Sequence, residues 1–125
     1  MKIFIVEDSA LVRGRIIVML SNMPGIRICG IAGTPEDAVR SINTLNPDVA
    51  VVDLKLYGGT GLDVIRNIRK ENKQVVIIVL TNYAYPQYRE KCVELGADYF
   101  FDKSVEFEKA IDTIVSLSEV HRVNV

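Results

Sequence analysis

The sequence has little of what secreted, fibrous or membrane proteins need. It contains no tryptophan, four prolines and only two cysteines, Cys29 and Cys92, both in apolar surroundings. Two cysteines are too few for a disulfide scaffold and predict buried thiols in a reducing cytoplasm. The longest apolar run, residues 75–80, falls short of the ~20 residues that cross a bilayer. Because the apolar start at residues 3–6 is also too short for a signal peptide, we expect a soluble, cytoplasmic protein without a membrane partner.

An excess of either charge is also lacking. The 125 residues include 15 Lys and Arg against 16 Asp and Glu, which gives a net charge of −1. This balance excludes a basic protein that coats nucleic acid and argues against nucleic acid as a direct partner. The chain shows no internal repeat and no low-complexity segment. Its length suits one hydrophobic core, which predicts a single domain over residues 1–122.

Short apolar runs alternate with longer amphipathic stretches along the chain. Unbroken runs rich in Val and Ile are typical of strands that are buried on both faces. Between them, Ser9, Thr34 and Ser104 are positioned to cap helix starts, and Gly96 is positioned to end a helix. The pattern predicts five strands, near residues 3–6, 26–31, 49–52, 75–80 and 98–101. It also predicts five helices, of which four occupy residues 10–21, 35 to before 47, 61–71 and 86–95, and the fifth follows Ser104.

This order of strand and helix, repeated five times, predicts an α/β fold. The fold is a single doubly wound, five-stranded parallel sheet with right-handed crossovers and helices on both faces. In such sheets, chemistry collects beyond the carboxyl ends of the strands. Polar residues that could share this edge of the sheet are Glu7, Asp8, Asp53, Thr81 and Lys103.

These residue types suit a metal-assisted phosphoryl transfer. Three carboxylates at close range repel one another, and a hard divalent cation removes that conflict; few carboxylates and room for water favour Mg²⁺. We expect Asp8 to hold the metal and Glu7 to bind it directly or to orient a metal-bound water. Asp53 is the expected nucleophile. Lys103 and Thr81 would hold the oxygens of the transferring group.

The chain resembles the receiver (phospho-acceptor) domain of two-component response regulators. The matching segments are residues 4–9, 51–56, 79–82 and 96–104, and the resemblance covers essentially the whole chain. It implies the flavodoxin-like, CheY-like sheet with strand order 2-1-3-4-5. It also implies Mg²⁺-dependent transfer of a phosphoryl group to Asp53 from a sensor histidine kinase or phosphotransfer protein. The family further implies the backbone carbonyl of Lys55 as a metal ligand, and Thr81 with Phe100 as the switch that alters a protein-binding surface.

Three positions depart from the usual family pattern. Tyr57 and Ser104 stand where the family often has proline, and the proline after the lysine is joined by a cis peptide bond. A cis bond before a residue other than proline costs about 2.5–4 kcal/mol. The sequence therefore does not determine the backbone geometry of the loop after Lys103. Asn82 replaces a small residue beside the expected phosphoryl pocket. None of these changes removes a reacting group.

Other functions remain as alternatives. The first is a receiver-like protein-binding module that works without phosphorylation. The second is an enzyme of the haloacid-dehalogenase type, but Asp53 is followed by Leu54 and Lys55 rather than by the Asp-x-Asp motif such enzymes need. A flavodoxin is disfavoured because Glu7 and Asp8 would repel a flavin phosphate. We expect a signalling phospho-acceptor that catalyses only its own phosphorylation and dephosphorylation, not an enzyme acting on other substrates.

The remaining polar and aromatic residues predict surfaces. Tyrosine suits interfaces because one end of the side chain is apolar and the other is polar. The fourth helix, fifth strand and fifth helix, near Tyr83, Tyr85 and Tyr88, are therefore expected to bind an unknown downstream protein or a second copy of the chain. Three basic side chains are expected to be structural or solvated: Arg13, Arg15 and His121.

Overall fold

The computed structural model describes residues 1–124, although not the side chain of Asn124. No helix in this part of the chain is both long and apolar enough to span a membrane. The strands are β1 (Lys2–Val6), β2 (Arg27–Ala32), β3 (Val49–Val52), β4 (Lys55–Leu56), β5 (Gly59–Thr60), β6 (Val76–Thr81) and β7 (Tyr99–Asp102). The helices are α1 (Ala10–Ser21), α2 (Pro35–Leu45), α3 (Gly61–Glu71), α4 (Pro86–Leu95) and α5 (Phe107–Asn124).

Five parallel strands form the main sheet in the order β2-β1-β3-β6-β7. This is the predicted order 2-1-3-4-5 once the two shortest strands are set aside, and the predicted fold class is confirmed. The antiparallel hairpin β4–β5 was not predicted. It turns at Tyr57 and Gly58, where Gly58 has a φ of 80° that glycine adopts without steric cost.

The sheet buries both of its faces, as the unbroken apolar runs predict. Along β1, Phe4 and Val6 face one core, which α2, α3 and α4 complete. Ile3 and Ile5 point to the opposite face and pack with residues of α1 and α5. Helices cover both faces of the sheet. The polar residues that follow the strands therefore lie together at its carboxyl edge.

Most of the predicted helix caps are present. The Ser9 hydroxyl accepts a hydrogen bond from the Val12 amide at 3.3 Å, and the Thr34 hydroxyl accepts one from the Asp37 amide at 3.3 Å. Gly96 closes α4 in the left-handed region, with a φ of 109°. These contacts satisfy backbone groups that the helix ends would otherwise leave unpaired.

The prediction that Ser104 caps the fifth helix is wrong. The amide and hydroxyl of Ser104 both donate to Asp102 Oδ1, at 2.9 and 2.6 Å. The chain then turns, with the Glu106 amide donating to the Asp102 carbonyl at 2.7 Å, and α5 begins only at Phe107. A nearby carboxylate thus competes successfully for the serine. All peptide bonds among the described residues are trans, including the one between Lys103 and Ser104.

Candidate functional site

Backbone hydrogen bonds that extend the sheet bring the site residues together. The Glu7 amide, just after β1, donates to the Ala32 carbonyl at 2.9 Å, and the Asp53 amide, just after β3, donates to the Val6 carbonyl at 3.0 Å. The Lys103 amide, just after β7, donates to the Thr81 carbonyl at 2.8 Å. The parallel register therefore fixes these side chains at one edge of the sheet.

Lys103 lies at the centre of the site. Its Nζ is 2.6 Å from Glu7 Oε1 and 2.9 Å from Asp53 Oδ2. Glu7 is 3% exposed and Asp53 is 8% exposed, so all three charges lie largely out of water. Charge-assisted hydrogen bonds of this length offset part of the cost of burying the charges.

Burial and hydrogen bonding shift the pKa values of Glu7 and Lys103. Burial raises the pKa of the Glu7 carboxyl, and the hydrogen bonds from Lys103 and from the Ser9 amide only partly oppose this effect. Burial by itself would lower the pKa of the Lys103 ammonium, but hydrogen bonds to Glu7 and Asp53 outweigh it and raise that pKa. Lys103 is therefore held as a cation beside Asp53.

The backbone around Asp53 also holds its carboxylate. Asp53 Oδ1 accepts a hydrogen bond from the Leu54 amide at 2.7 Å. The Gly61 amide, at the start of α3, donates to the Leu54 carbonyl at 2.8 Å. A Cβ at position 61 would lie only 2.2 Å from the Asp53 carbonyl oxygen, so this close approach requires glycine.

Three carboxylates form a cluster that could hold a metal ion. Glu7, Asp8 and Asp53 each offer an oxygen, and these oxygens lie within 4.8 Å of one another. Glu7 and Asp53 are buried while Asp8 is exposed, so the cluster opens to solvent on one side. Hard oxygen donors with room for water fit Mg²⁺ better than the softer transition metals.

Thr81 and Phe100 occupy the neighbouring strands β6 and β7. Thr81 is completely buried, and its Oγ1 accepts a hydrogen bond from the Tyr83 amide at 3.1 Å. Phe100 is buried among the residues of the α2–α3–α4 core. The Arg89 guanidinium lies 4.6 Å from the centroid of the Phe100 ring and links α4 to β7.

Arg13 is the residue that the sequence analysis missed. Its Nη1 donates to the carbonyls of Glu7 and Asp8 at 3.0 and 3.2 Å, so its interpretation as part of a solvated helix face is wrong. Arg13 lies one turn into α1 and five residues after Asp8, which is compatible with such a contact but does not require it. Arg15 is exposed, and its guanidinium lies 4.0 Å from the centroid of the Phe107 ring.

The other singled-out residues lie at the rim of the site or away from it. Tyr57 is exposed at the turn of the hairpin, and Asn82 is exposed in the loop after β6. His121 lies at the other end of the sheet, where its Nε2 is 3.7 Å from Asp48 Oδ1. That contact fits the structural role predicted for His121.

The chain is similar to known proteins over nearly its whole length. The model of the response regulator receiver domain matches residues 3–115. A protein-glutamate methylesterase/protein-glutamine glutaminase of Treponema denticola is 32% identical over 92% of this chain and 32% of its own length. The chain spans between 32% and 56% of the length of the curated relatives it matches.

Solved structures share the fold. A LuxR-family DNA-binding response regulator from Staphylococcus aureus is 27% identical, with a TM-score of 0.84 over 94% of this chain and 98% of that one. A CheX-CheY-BeF3-Mg+2 complex from Borrelia burgdorferi is 22% identical, with a TM-score of 0.84 over 93% of this chain and 87% of that one. With this match in sequence and fold, the chain belongs to the family of response regulator receiver domains, the phospho-acceptors of two-component systems.

Proposed function

We propose that Asp53 is the residue on which this receiver domain accepts its phosphoryl group. The observation that carries the proposal is the Asp53 carboxylate, held between the Leu54 amide and the Lys103 ammonium and grouped with two further carboxylates. One Asp53 oxygen forms a bond to phosphorus while the P–N bond to a donor imidazole breaks. The imidazole nitrogen keeps the electron pair and takes up a proton from solvent. The product is an acyl phosphate on Asp53.

The acidic cluster would hold Mg²⁺ during this step. Asp8, Asp53 and the carbonyl of Lys55 are the proposed ligands, and Glu7 supports them through a bound water or directly. When bound, Mg²⁺ offsets the negative charge that the incoming phosphoryl group brings to three carboxylates. Glu7, already held by Lys103 and the Ser9 amide, keeps its position without the metal.

Two further side chains would stabilise the transferring group. Lys103 Nζ already contacts Asp53 Oδ2, so a small rotation brings it to a phosphoryl oxygen. Thr81 would offer its hydroxyl proton while its oxygen keeps accepting from the Tyr83 amide. Such donors act on the charge of the equatorial oxygens, where phosphoryl transfer needs them.

Intact-mass measurement after incubation with phosphoramidate tests the proposal. The native chain should gain the mass of one phosphoryl group with Mg²⁺ and little or none with EDTA. Asp53→Asn should gain none, because it keeps the size and loses the nucleophile. Asp63→Asn is the matched control, since Asp63 lies on α3 in an exposed pair with Arg66 and should not alter the gain. An unchanged gain in Asp53→Asn would refute the assignment.

The exposed side of α1 is the proposed docking surface for the phosphodonor. Leu11 and Val18 are 85% and 67% exposed, and Gly14 between them has open space around it. Apolar side chains on a helix are normally buried, so the exposed Leu11 and Val18 leave α1 with an outer apolar face for a partner helix. Because α1 begins next to Asp8, a histidine on that partner helix could reach Asp53.

The output surface is proposed on the face made by α4, β7 and α5. A hydrogen bond from Thr81 to a phosphoryl oxygen would draw the loop after β6 inward, and Phe100 would respond because it packs beneath α4. The face made by α4, β7 and α5 exposes Val93, Tyr99 and Val120, which suits a downstream protein or a homodimer. No nucleic acid is proposed as a direct partner.

The wider setting follows from this proposal. The receiver unit would extend over residues 1–122 in the cytoplasm, where histidine kinases present their phosphohistidine. It would catalyse only its own phosphorylation and dephosphorylation. A binding module that works without phosphorylation is not favoured, because every reacting group of the site is present and Glu7, Asp53 and Lys103 are held together by ion pairs.

A further inference from the structure

A cavity beside the acidic site is lined by side chains that the phosphorylation proposal does not use. Its volume is about 300 Å³, and its lining includes Leu54, Lys55, Thr60, Leu62, Tyr83 and Tyr88. It lies between the hairpin β4–β5 on one side and the start of α4 on the other. A volume near 300 Å³ is at the lower end of the range for small-molecule sites.

The lining combines an apolar floor with aromatic walls. Leu54 is buried and Leu62 is half-buried, so the floor offers no polar group of its own from these side chains. Tyr83 and Tyr88 are each 36% exposed, which leaves ring surface open to a ligand. Aromatic rings prefer offset-stacked or edge-to-face packing, so the rings of Tyr83 and Tyr88 suit the aromatic ring of a ligand.

One cation stands at the rim. The Lys55 Nζ lies 5.8 Å from the centroid of the Tyr83 ring. The Lys55 side chain is exposed, and no carboxylate contributes to the lining. Lys55 is therefore the one charged side chain of the lining, and it complements a ligand that carries an anionic group next to an apolar ring.

We propose that this cavity binds a small aromatic carboxylate. The ring would lie over Leu54 between Tyr83 and Tyr88, and the carboxylate would pair with the Lys55 ammonium at the rim. The tyrosine hydroxyls give it additional hydrogen-bond donors. This site does not depend on phosphorylation, so Asp53→Asn should keep it intact.

Amide chemical-shift titration with benzoate tests the site on the full chain. Saturable shifts should centre on residues 54–62 and 83–88. Benzyl alcohol lacks the charge and cyclohexanecarboxylate lacks the aromatic ring, so each should bind more weakly than benzoate. Benzylammonium should bind weakest because Lys55 repels it. Shifts that are absent, do not saturate, or centre elsewhere would overturn the proposal, as would equal binding of all four probes.

Matched variants separate the two parts of the site. Lys55→Gln should weaken benzoate binding about two- to five-fold, as expected for an exposed ion pair, while leaving benzyl alcohol binding unchanged. Tyr88→Leu should weaken both. Tyr57→Leu and Lys73→Gln alter exposed residues outside the lining and serve as controls that should change neither affinity. An equal response to Lys55→Gln and Lys73→Gln would contradict the role of Lys55.

A protein segment is the alternative occupant, and the same titration detects it. The tripeptide acetyl-Asp-Phe-Asp-amide presents an aromatic ring between two carboxylates on a peptide backbone. If it shifts the amides of residues 54–62 and 83–88 while benzoate does not, the small-ligand proposal is wrong. If benzoate binds at least as well as the tripeptide, the proposal is supported. Loss of phosphorylation in any variant does not bear on either outcome.

Discussion

At the scale of single residues, the site balances three carboxylates against one ammonium. Glu7, Asp8 and Asp53 offer oxygens within 4.8 Å of one another, and Lys103 pairs with only two of these residues. Residues that serve a function in this way often reduce the stability of the fold. The charge of Asp8 is the one that no described cation neutralises.

Asp8→Asn should therefore stabilise the protein. Removing the repulsion is expected to raise the free energy of unfolding by about 0.5–2 kcal/mol in EDTA, the range of surface-charge improvements. The same variant should lose its stabilisation by Mg²⁺, because a proposed ligand is gone. Urea denaturation with and without Mg²⁺ measures both effects. A lower free energy of unfolding, or an unchanged response to Mg²⁺, would contradict the proposed cluster.

Lys103→Met should have the opposite effect. It leaves the buried Glu7 and Asp53 without their common cation, and breaking a buried ion pair from one side costs about 3–5 kcal/mol. Urea denaturation in EDTA should show a loss of this size. Lys91→Met is the control, because Lys91 makes only an exposed 3.7 Å contact with Glu94 and should cost little. Similar losses in the two variants would show that the Lys103 pairs do not stabilise the fold.

At the scale of secondary-structure elements, α3 is positioned by its first residue. Gly61 allows the helix to start against the Asp53 carbonyl, where a Cβ would approach to 2.2 Å from the oxygen. A backbone atom cannot move aside as a flexible side chain can. The start of α3 and the position of Asp53 are therefore linked.

Two glycine-to-alanine variants test this link with opposite expected signs. Gly61→Ala should destabilise the protein by more than about 2 kcal/mol, as overpacking against backbone does, and should slow phosphorylation. Gly14→Ala lies on an exposed face of α1 with no atom within 4 Å of the new Cβ. It should stabilise the helix by about 0.5–1 kcal/mol. Thermal unfolding measures the stability of both variants. A loss of stability in Gly14→Ala would contradict the prediction that alanine stabilises α1 at this position.

The elements also show which features the sequence could predict. The five main strands and the first four helices follow from apolar runs and cap residues, and the site follows because parallel strands end at one edge. The hairpin β4–β5 has strands of two residues, which are too short for any periodicity. Ser104 was misassigned because its competitor, Asp102, bonds it across a turn. The sequence around Arg13 predicts a helix in either case, and it does not show whether the Arg13 side chain is solvated or folds back onto the carbonyls of Glu7 and Asp8.

At the scale of the whole molecule, pH should reveal how tightly α4 packs on the sheet. Cys92 is the one fully buried side chain of α4, and burial raises the pKa of its thiol from 9.0 to about 11. The stabilisation from keeping this thiol neutral is complete below pH 9 and is lost as the pH rises from 9 to about 11. Free energies of unfolding measured over this interval should fall more steeply for the native chain than for Cys92→Ala. Equal slopes would mean that Cys92 is reached by water in the folded state.

Chemical localisation of the phosphoryl group tests whether Asp53 is the phosphorylation site. The chain is phosphorylated with phosphoramidate and Mg²⁺ and then treated with borohydride, which reduces an aspartyl phosphate to homoserine. Peptide mass spectrometry then identifies the converted residue. We expect homoserine at position 53 and unchanged aspartate at positions 8 and 63. Conversion at position 8, or a mass gain without any conversion at position 53, would contradict this assignment.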